Sequence, residues 1–518
     1  MNKSIAFAIY MILFFFNSSC QRVDQPENIN IKELTISDIH EAYANGSYNS
    51  EELVKAYIDA IEKFDDSIHA ITIINPDAVQ VARSLDEEYQ KTGKLRPLHG
   101  IPIIVKDNIN TVGLPTTAGA LALQNFIPEE NAFVIQKLVK AGAIVLAKSN
   151  MAEWAFSPMH TESSTAGTTH NPYNLDYVPA GSSGGTAAAV ASNFALGGLG
   201  TDTGNSIRGP SSHNSLVGFR TTLGLISREG IVPLYLRNDV AGPMCRTVED
   251  ATKIMEVMVG IDPKDPITEN SLGKTQENYK QYLVDHGLEG SRIGVLRELS
   301  EYQTDPEIKE LFEHAISDLD SLGAEIMDPV VIPNFAKLRQ DQWCATFQND
   351  VESFLRDYVK SDTMKTLEDI IRVGTHSEYA REGLLEHTTA EGRWGDSDIQ
   401  CQDAYHDTKR IAFREAIENV MDSLKLDAII YPSWNNKPAH IDRFQEEYKG
   451  DNSQVISPHT GQPAFTVPMG FTTGNLPAGL QFLGRMYDEP TIIKLAYSYE
   501  QGTKLRKPPK LMKKARTK

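Results

Sequence analysis

Three short segments of this sequence hold residue types that can activate a hydroxyl group. The first is Gly100-Ile-Pro-Ile-Ile-Val-Lys106-Asp107-Asn108, in which a lysine ends an apolar run. Lysine is almost never fully buried without a purpose. Burial disfavours the ammonium and lowers its pKa towards neutrality, which suits a general base. A surface Lys106 would instead pair with Asp107, and these residues alone leave both readings open. The second segment is Gly181-Ser182-Ser183-Gly184-Gly185-Thr186, which leads into the small-residue stretch Ala187 to Ala195. Glycines beside paired hydroxyls permit unusual backbone geometry, and free N–H groups gather where a helix begins. The third is Gly200-Thr201-Asp202-Thr203-Gly204-Asn205-Ser206-Ile207-Arg208. Successive N–H groups in such a loop can converge on a developing oxyanion. Taken singly, each Ser/Gly cluster also fits a turn or a phosphate site. No G-x-x-x-x-G-K-[ST] is present to favour a nucleotide P-loop.

The combination is more specific. Gly-Ser-Ser-Gly-Gly followed by Thr-Asp-Thr-Gly-x-Ser-Ile-Arg, with Lys106 upstream in GIPIIVKDNI, resembles the amidase signature family. The likeness continues through Leu216-Val-Gly-Phe-Arg220, Ser227 to Pro233, Ala241 to Asp250, Thr460 to Ala464 and Leu476 to Gly484, over nearly the whole of the expected mature chain. The resemblance implies Ser206 as nucleophile, Ser182 in a cis peptide linkage as proton relay, and Lys106 as terminal base and acid. It further implies an oxyanion hole of backbone N–H groups from Thr203, Gly204, Asn205 and Ser206. Ser183 is expected to support the relay. Asp202 and Arg208 are expected to brace the loop, with direct substrate contact as the alternative. The sequence departs from the common pattern at Asn205, where glycine is usual, and at Gly209, where a larger apolar residue often stands. His160, His170 and His213 lie near these motifs and raise the alternative of a Ser-His-Asp triad, whereas the family uses lysine. Trp154, Met159 and Trp343 are candidates for an acyl pocket or for plain core.

Such residues need a scaffold that brings distant segments together. Ile101 to Val105 and Ala143 to Ala147 read as short buried strands, with a helix over Asn131 to Ala141 between them. Thr35 to Asp38 fits a capping box, and Ser50 is expected to cap a helix whose residues Leu53, Val54, Tyr57, Ile58 and Ile61 share one face. Strand-like sequence returns at Asp427 to Tyr431 and Ala464 to Pro468. Alternating helices and buried strands predict an α/β layered fold. The resemblance refines this to an α/β/α arrangement with a large mixed sheet and a helical insertion around 265–425.

The chain has 518 residues, 41% of them apolar, and a formal charge of −19, which disfavours nucleic-acid backbones as partners. Lys3, the apolar run Ile5 to Phe16 and Asn17-Ser-Ser-Cys20 resemble a bacterial lipoprotein signal, although Asn17 stands where an aliphatic residue is preferred. A plain secretory peptide and an uncleaved anchor are the alternatives. Lipidation at Cys20 would place the protein in the bacterial cell envelope and make the lipid its only membrane contact. The expected organisation is a signal peptide over 1–20, a tether over 21–30, an amidase domain over 31–505 and a basic tail over 506–518, solvated or touching an anionic surface. Cys245, Cys344 and Cys401 are odd in number and far apart, and they read as buried free thiols. No metal or organic cofactor is implied. The expected activity is hydrolysis of a small-molecule carboxamide to a carboxylate plus ammonia or an amine. The competing functions are a catalytically silent binding lipoprotein and a glutamyl-tRNA amidotransferase A-like glutaminase subunit.

Overall fold

A computed structural model of the chain describes residues 29–388 and 401–511. Its strands are β1 (Ile71–Ile74), β2 (Pro102–Lys106), β3 (Ile144–Ser149), β4 (Glu162–Ser163), β5 (Gly167–Thr168), β6 (Gly197–Asp202), β7 (Val217–Arg220), β8 (Val240–Cys245), β9 (Arg292–Val295), β10 (Glu325–Met327), β11 (Ala428–Pro432), β12 (Ala464–Thr472) and β13 (Leu476–Leu483). β4 and β5 form a separate two-stranded sheet. The other eleven form one mixed sheet in the order β1-β3-β2-β6-β8-β7-β12-β13-β11-β9-β10. Every residue of β2, β3, β6 and β8 is buried, so both faces of the sheet's site-bearing half are covered. This explains why the strands at 101–105 and 143–147 read as unbroken apolar runs rather than alternating ones. The α/β fold with a large mixed sheet is the one the sequence implied.

Several local expectations need correction. Thr35 and Asp38 do form a capping box. The next helix, Ser50–Phe64, is capped by Asn49, whose side chain accepts from the Glu52 N–H; Ser50 lies inside the first turn. The stretch around 265–425 is largely helical but also supplies β9 and β10, which complete the far edge of the sheet. Cys344 and Cys401 form a disulfide with their Cα atoms 6.0 Å apart, within the span that a disulfide bridges. Of the three expected free thiols, only Cys245 stays free and buried. The beginning of the expected basic tail is docked on the body. Arg506 pairs with Glu33 at 2.8 Å and donates to the Ser215 carbonyl, while Tyr173 donates to the Lys507 carbonyl. Cys20, the signal segment and residues 512–518 lie outside the described residues. Among the described residues no helix is long and apolar enough to cross a membrane.

Candidate active site

β2 and β6 are parallel neighbours, with Val105 level with Leu199. Their carboxyl ends therefore reach the same edge of the sheet, the side on which α/β folds usually place their sites. β2 ends in Lys106, and β6 ends in Asp202 and runs directly into Thr203-Gly-Asn-Ser206. The helix Gly184–Ala191 packs against both strands and brings Ser182 and Ser183 to the same edge. Glycine is required in this approach. A Cβ on Gly181 would lie 2.3 Å from the His160 carbonyl oxygen, and one on Gly185 would lie 2.2 Å from that of Asn150.

Lys106 is fully buried, and its ammonium contacts two hydroxyls, Ser182 Oγ at 2.7 Å and Thr201 Oγ1 at 2.8 Å. Its neighbour Asp107 pairs with Lys148 at 3.3 Å, so the surface pairing of Lys106 with Asp107 is not formed. Burial pushes the Lys106 pKa down to about 7, against an upward pull from Asp202 and Asp239. The lysine can therefore exchange a proton near neutral pH. The Gly181–Ser182 peptide is cis. Ser183 Oγ donates to the Thr201 carbonyl at 3.2 Å and pins the Ser182 loop to β6. Asn108 donates to Thr201 Oγ1 at 3.1 Å. Asn108 and Thr201 had no assigned role in the sequence; both sit inside the motifs that carry Lys106 and Ser206.

The Ser206 loop is braced from below by one carboxylate and two guanidinium groups. Asp202 receives Arg208 at 3.1 Å and Arg220 at 2.8 Å, and it accepts the Ile207 N–H at 3.1 Å. Arg208 also donates to the Gly204 carbonyl at 2.7 Å. Burial works to raise the Asp202 carboxyl, but Arg208 and Arg220 outweigh it and hold it at about 2. Asp202 and Arg208 thus hold the Gly204–Ile207 turn through hydrogen bonds to its main chain. Thr203 Oγ1 donates to Asp239 at 2.5 Å. Arg220 and Asp239 are members of the brace that sequence reasoning missed. Replacing Asp202 by alanine would leave two buried arginines without their carboxylate, which typically costs about 3–5 kcal/mol. The expected outcome for Asp202→Ala is a loss of that order, measured by the denaturant midpoint. A change below about 1 kcal/mol would instead point to a role in substrate binding.

With the loop braced from behind, its upper side faces a cavity of about 510 Å³ lined by Thr203, Gly204, Asn205 and Ser206. Among the described residues, the backbone N–H groups of these four donate no hydrogen bond. They are therefore available to a developing oxyanion. Lys106 and Ser182 are fully buried and do not line the cavity. The rest of the lining brings together Phe156, Met159, Leu234, Tyr235, Trp343 and Tyr379. Met159 and Trp343 are thus wall residues, while Trp154 does not line the cavity and packs edge-on against Phe347 in the apolar cluster that backs Phe156, Leu234, Tyr235 and Trp343. His387 also lines the cavity; its Nδ1–H donates to the Gly383 carbonyl, and its Nε2 accepts from Tyr235 at 3.0 Å. None of the three histidines near the motifs hydrogen-bonds Ser206. His160 meets Ser157 at 2.6 Å, His170 meets the Leu175 carbonyl at 2.6 Å, and His213 is buried against Trp434. Among the described residues no group of three or more His, Cys, Asp or Glu side chains could hold a metal.

Comparison with known proteins gives this geometry a family. The Amidase family model matches residues 52–493. The chain is 34% identical over 515 residues to a probable amidase of Arabidopsis thaliana, covering 95% of this chain and 94% of the relative. It is also 34% identical over 508 residues to the glutamyl-tRNA(Gln) amidotransferase A subunit of Thermoanaerobacter pseudethanolicus, covering 94% of this chain and 100% of the relative. Among solved structures, the native peptide amidase from Stenotrophomonas maltophilia superposes with a TM-score of 0.82 at 33% identity, covering 93% of this chain and 99% of that one. An eleven-stranded sheet that carries these motifs, matched over nearly its whole length, places the chain in the amidase signature family of enzymes acting on carbon–nitrogen bonds.

Proposed function

We propose that the protein hydrolyses a carboxamide through an acyl-enzyme on Ser206, with Ser182 as relay and Lys106 as terminal base and acid. The observation that carries this reading is the 2.7 Å contact between a fully buried Lys106 and Ser182, at the sheet edge from which β6 runs into the loop of Ser206, a serine that lines the cavity. Neutral Lys106 has a lone pair, so the Ser182 hydroxyl can donate to it. Ser206 Oγ then attacks the carbonyl carbon, its proton moves to Ser182, and the Ser182 proton moves to Lys106. The carbonyl oxygen gains the negative charge and is met by the N–H groups of residues 203–206. Collapse breaks the C–N bond while the proton returns through Ser182 to the leaving nitrogen, which departs as ammonia or an amine. Water repeats the cycle on the acyl-enzyme and releases the carboxylate. Each proton removed is returned, so Lys106 ends neutral. Nucleophile, relay and donors all come from the chain itself. The aromatic wall and the cavity volume suit an acyl part larger than acetyl.

The alternative of a glutaminase subunit is separated by asking whether the isolated chain works alone. Incubating the purified protein with a panel of primary and N-substituted amides is expected to release ammonia or amine without any partner. Strict dependence on a second protein would favour the amidotransferase reading. Failure of the wild type to react with a fluorophosphonate probe would favour a silent binding protein.

The same proposal places the enzyme in a bacterial cell envelope, anchored by lipid at Cys20. The apolar run Ile5 to Phe16 and the Ser-Ser-Cys20 sequence support this placement. The Cys344–Cys401 disulfide is also in keeping with an oxidising compartment.

A further inference from the structure

Asn205 and Gly209, the two places where the nucleophile loop leaves the common pattern, meet in space. A Cβ on Gly209 would lie 2.7 Å from Asn205 Nδ2 and 2.9 Å from the Trp434 ring. The missing side chain at 209 is therefore what lets the Asn205 carboxamide fold in beside Ser206. There its Nδ2 donates to the Pro158 carbonyl at 3.3 Å, and its Oδ1 accepts from Ser206 Oγ at 3.4 Å. A carbonyl only accepts, so Pro158 settles which end of the amide is nitrogen and leaves the oxygen facing the nucleophile. The Pro158 carbonyl also accepts the N–H of Gly181 at 2.9 Å, one residue before Ser182. Gly181 in turn presses so closely on this segment that a Cβ would lie 2.4 Å from the Ser157 carbonyl oxygen. One carbonyl thus holds both the Ser182 loop and, through Asn205, the Ser206 hydroxyl.

We infer that Asn205 is a positioning residue that ties Ser206 to the Pro158 carbonyl and so sets the nucleophile's place relative to the Ser182 relay. The inference rests on the acyl-enzyme reading given above. The Ser206–Asn205 bond is long and therefore weak, so the hydroxyl can turn from Asn205 to Ser182 when it gives up its proton. Gly209 belongs to the same device, because any side chain there displaces the carboxamide. Displacements of about 1 Å in a catalytic constellation can cost on the order of 100-fold in rate.

The test uses full-length protein, a fluorophosphonate probe and one amide that the wild type turns over. Asn205→Ala is expected to slow probe labelling and kcat by about 10- to 100-fold, with KM within about twofold. Its acid limb should stay near pH 7, because Lys106 keeps its surroundings. Gly209→Ala is expected to slow labelling similarly, and the double variant should be no slower than the worse single one, since both break the same contact. Thermal midpoints of all variants show whether a loss reflects unfolding. Labelling of Asn205→Ala within twofold of wild type, or single effects that multiply in the double variant, overturns the inference alone. An unlabelled wild type overturns the acyl-enzyme reading and the inference with it.

Discussion

Ser206→Ala is expected to lower kcat by roughly 10⁴-fold or more and to abolish fluorophosphonate labelling, with little change in thermal midpoint. A nucleophile that forms a covalent intermediate cannot be replaced by its neighbours, and removing one member of such a unit costs nearly as much as removing all. Adding Lys106→Ala to Ser206→Ala should therefore reduce kcat no further. Stability is expected to hold because, among the described residues, Ser206 Oγ makes a single long hydrogen bond, to Asn205, and the loop is held by Asp202, Arg208 and Arg220 instead. Ser183→Ala is the informative control. Ser183 is fully buried and bound to the Thr201 main chain, so this variant should still label at Ser206. Labelling that survived in Ser206→Ala and vanished in Ser183→Ala would move the nucleophile to Ser183 and overturn the assignment to Ser206.

The candidate site was more legible than the scaffold because its residues lie in local motifs. Lys106, Ser182 and Ser206 each sit in a short motif that is specific only in combination with the others, and the structure brings all three segments to one edge of the sheet. β6 was not legible as a strand, since Gly197-Gly-Leu-Gly-Thr-Asp202 has neither alternation nor β-branched bulk. Close packing accounts for the discrepancy. A Cβ on Gly198 would lie 2.5 Å from the Thr186 side chain, and one on Gly200 would lie 2.7 Å from Met244 Sδ. Tertiary contact overrides propensity in this strand, and the residues that make it a poor isolated strand let the Ser182 helix lie against it.

What the sequence could not show depends on pairing between distant segments. Arg220 reaches Asp202 because β7 and β6 both flank β8, and no local pattern encodes that order. The cavity wall combines Phe156, Leu234, Trp343, Tyr379 and Gln454, drawn from widely separated stretches of the chain. The Cys344–Cys401 bridge spans 57 positions, so counting cysteines gave three free thiols where, of those three, only Cys245 is free. Asn205 and Gly209 were visible as departures, but their mutual contact follows only from the turn between them.

Lys106 allows a prediction that separates function from stability. Because burial depresses its pKa from the ordinary 10.5 to about 7, kcat/KM should rise with pH through an acid limb near 7. Lys106→Ala is expected to lower kcat by roughly 10³- to 10⁴-fold and to slow probe labelling and acyl-enzyme hydrolysis alike. The unfolded chain binds the proton more tightly than the folded one, so between about pH 7 and 10.5 unfolding takes up a proton. The resulting destabilisation is fully present below about pH 7, shrinks as pH rises and disappears above about 10.5. At neutral pH it amounts to something on the order of 4 kcal/mol, partly offset by the bonds to Ser182 and Thr201. Lys106→Met, similar in length and uncharged, is therefore expected to be inactive yet more stable than wild type at pH 7. The gain should fall as the denaturation is repeated towards pH 10. A Met variant less stable than wild type at pH 7 would mark the lysine as a structural post. Wild-type-like turnover in that variant would remove it from the proton path. The opposite signs expected for activity and stability follow from one fact: the fold keeps an amine in a place where its charged form is disfavoured.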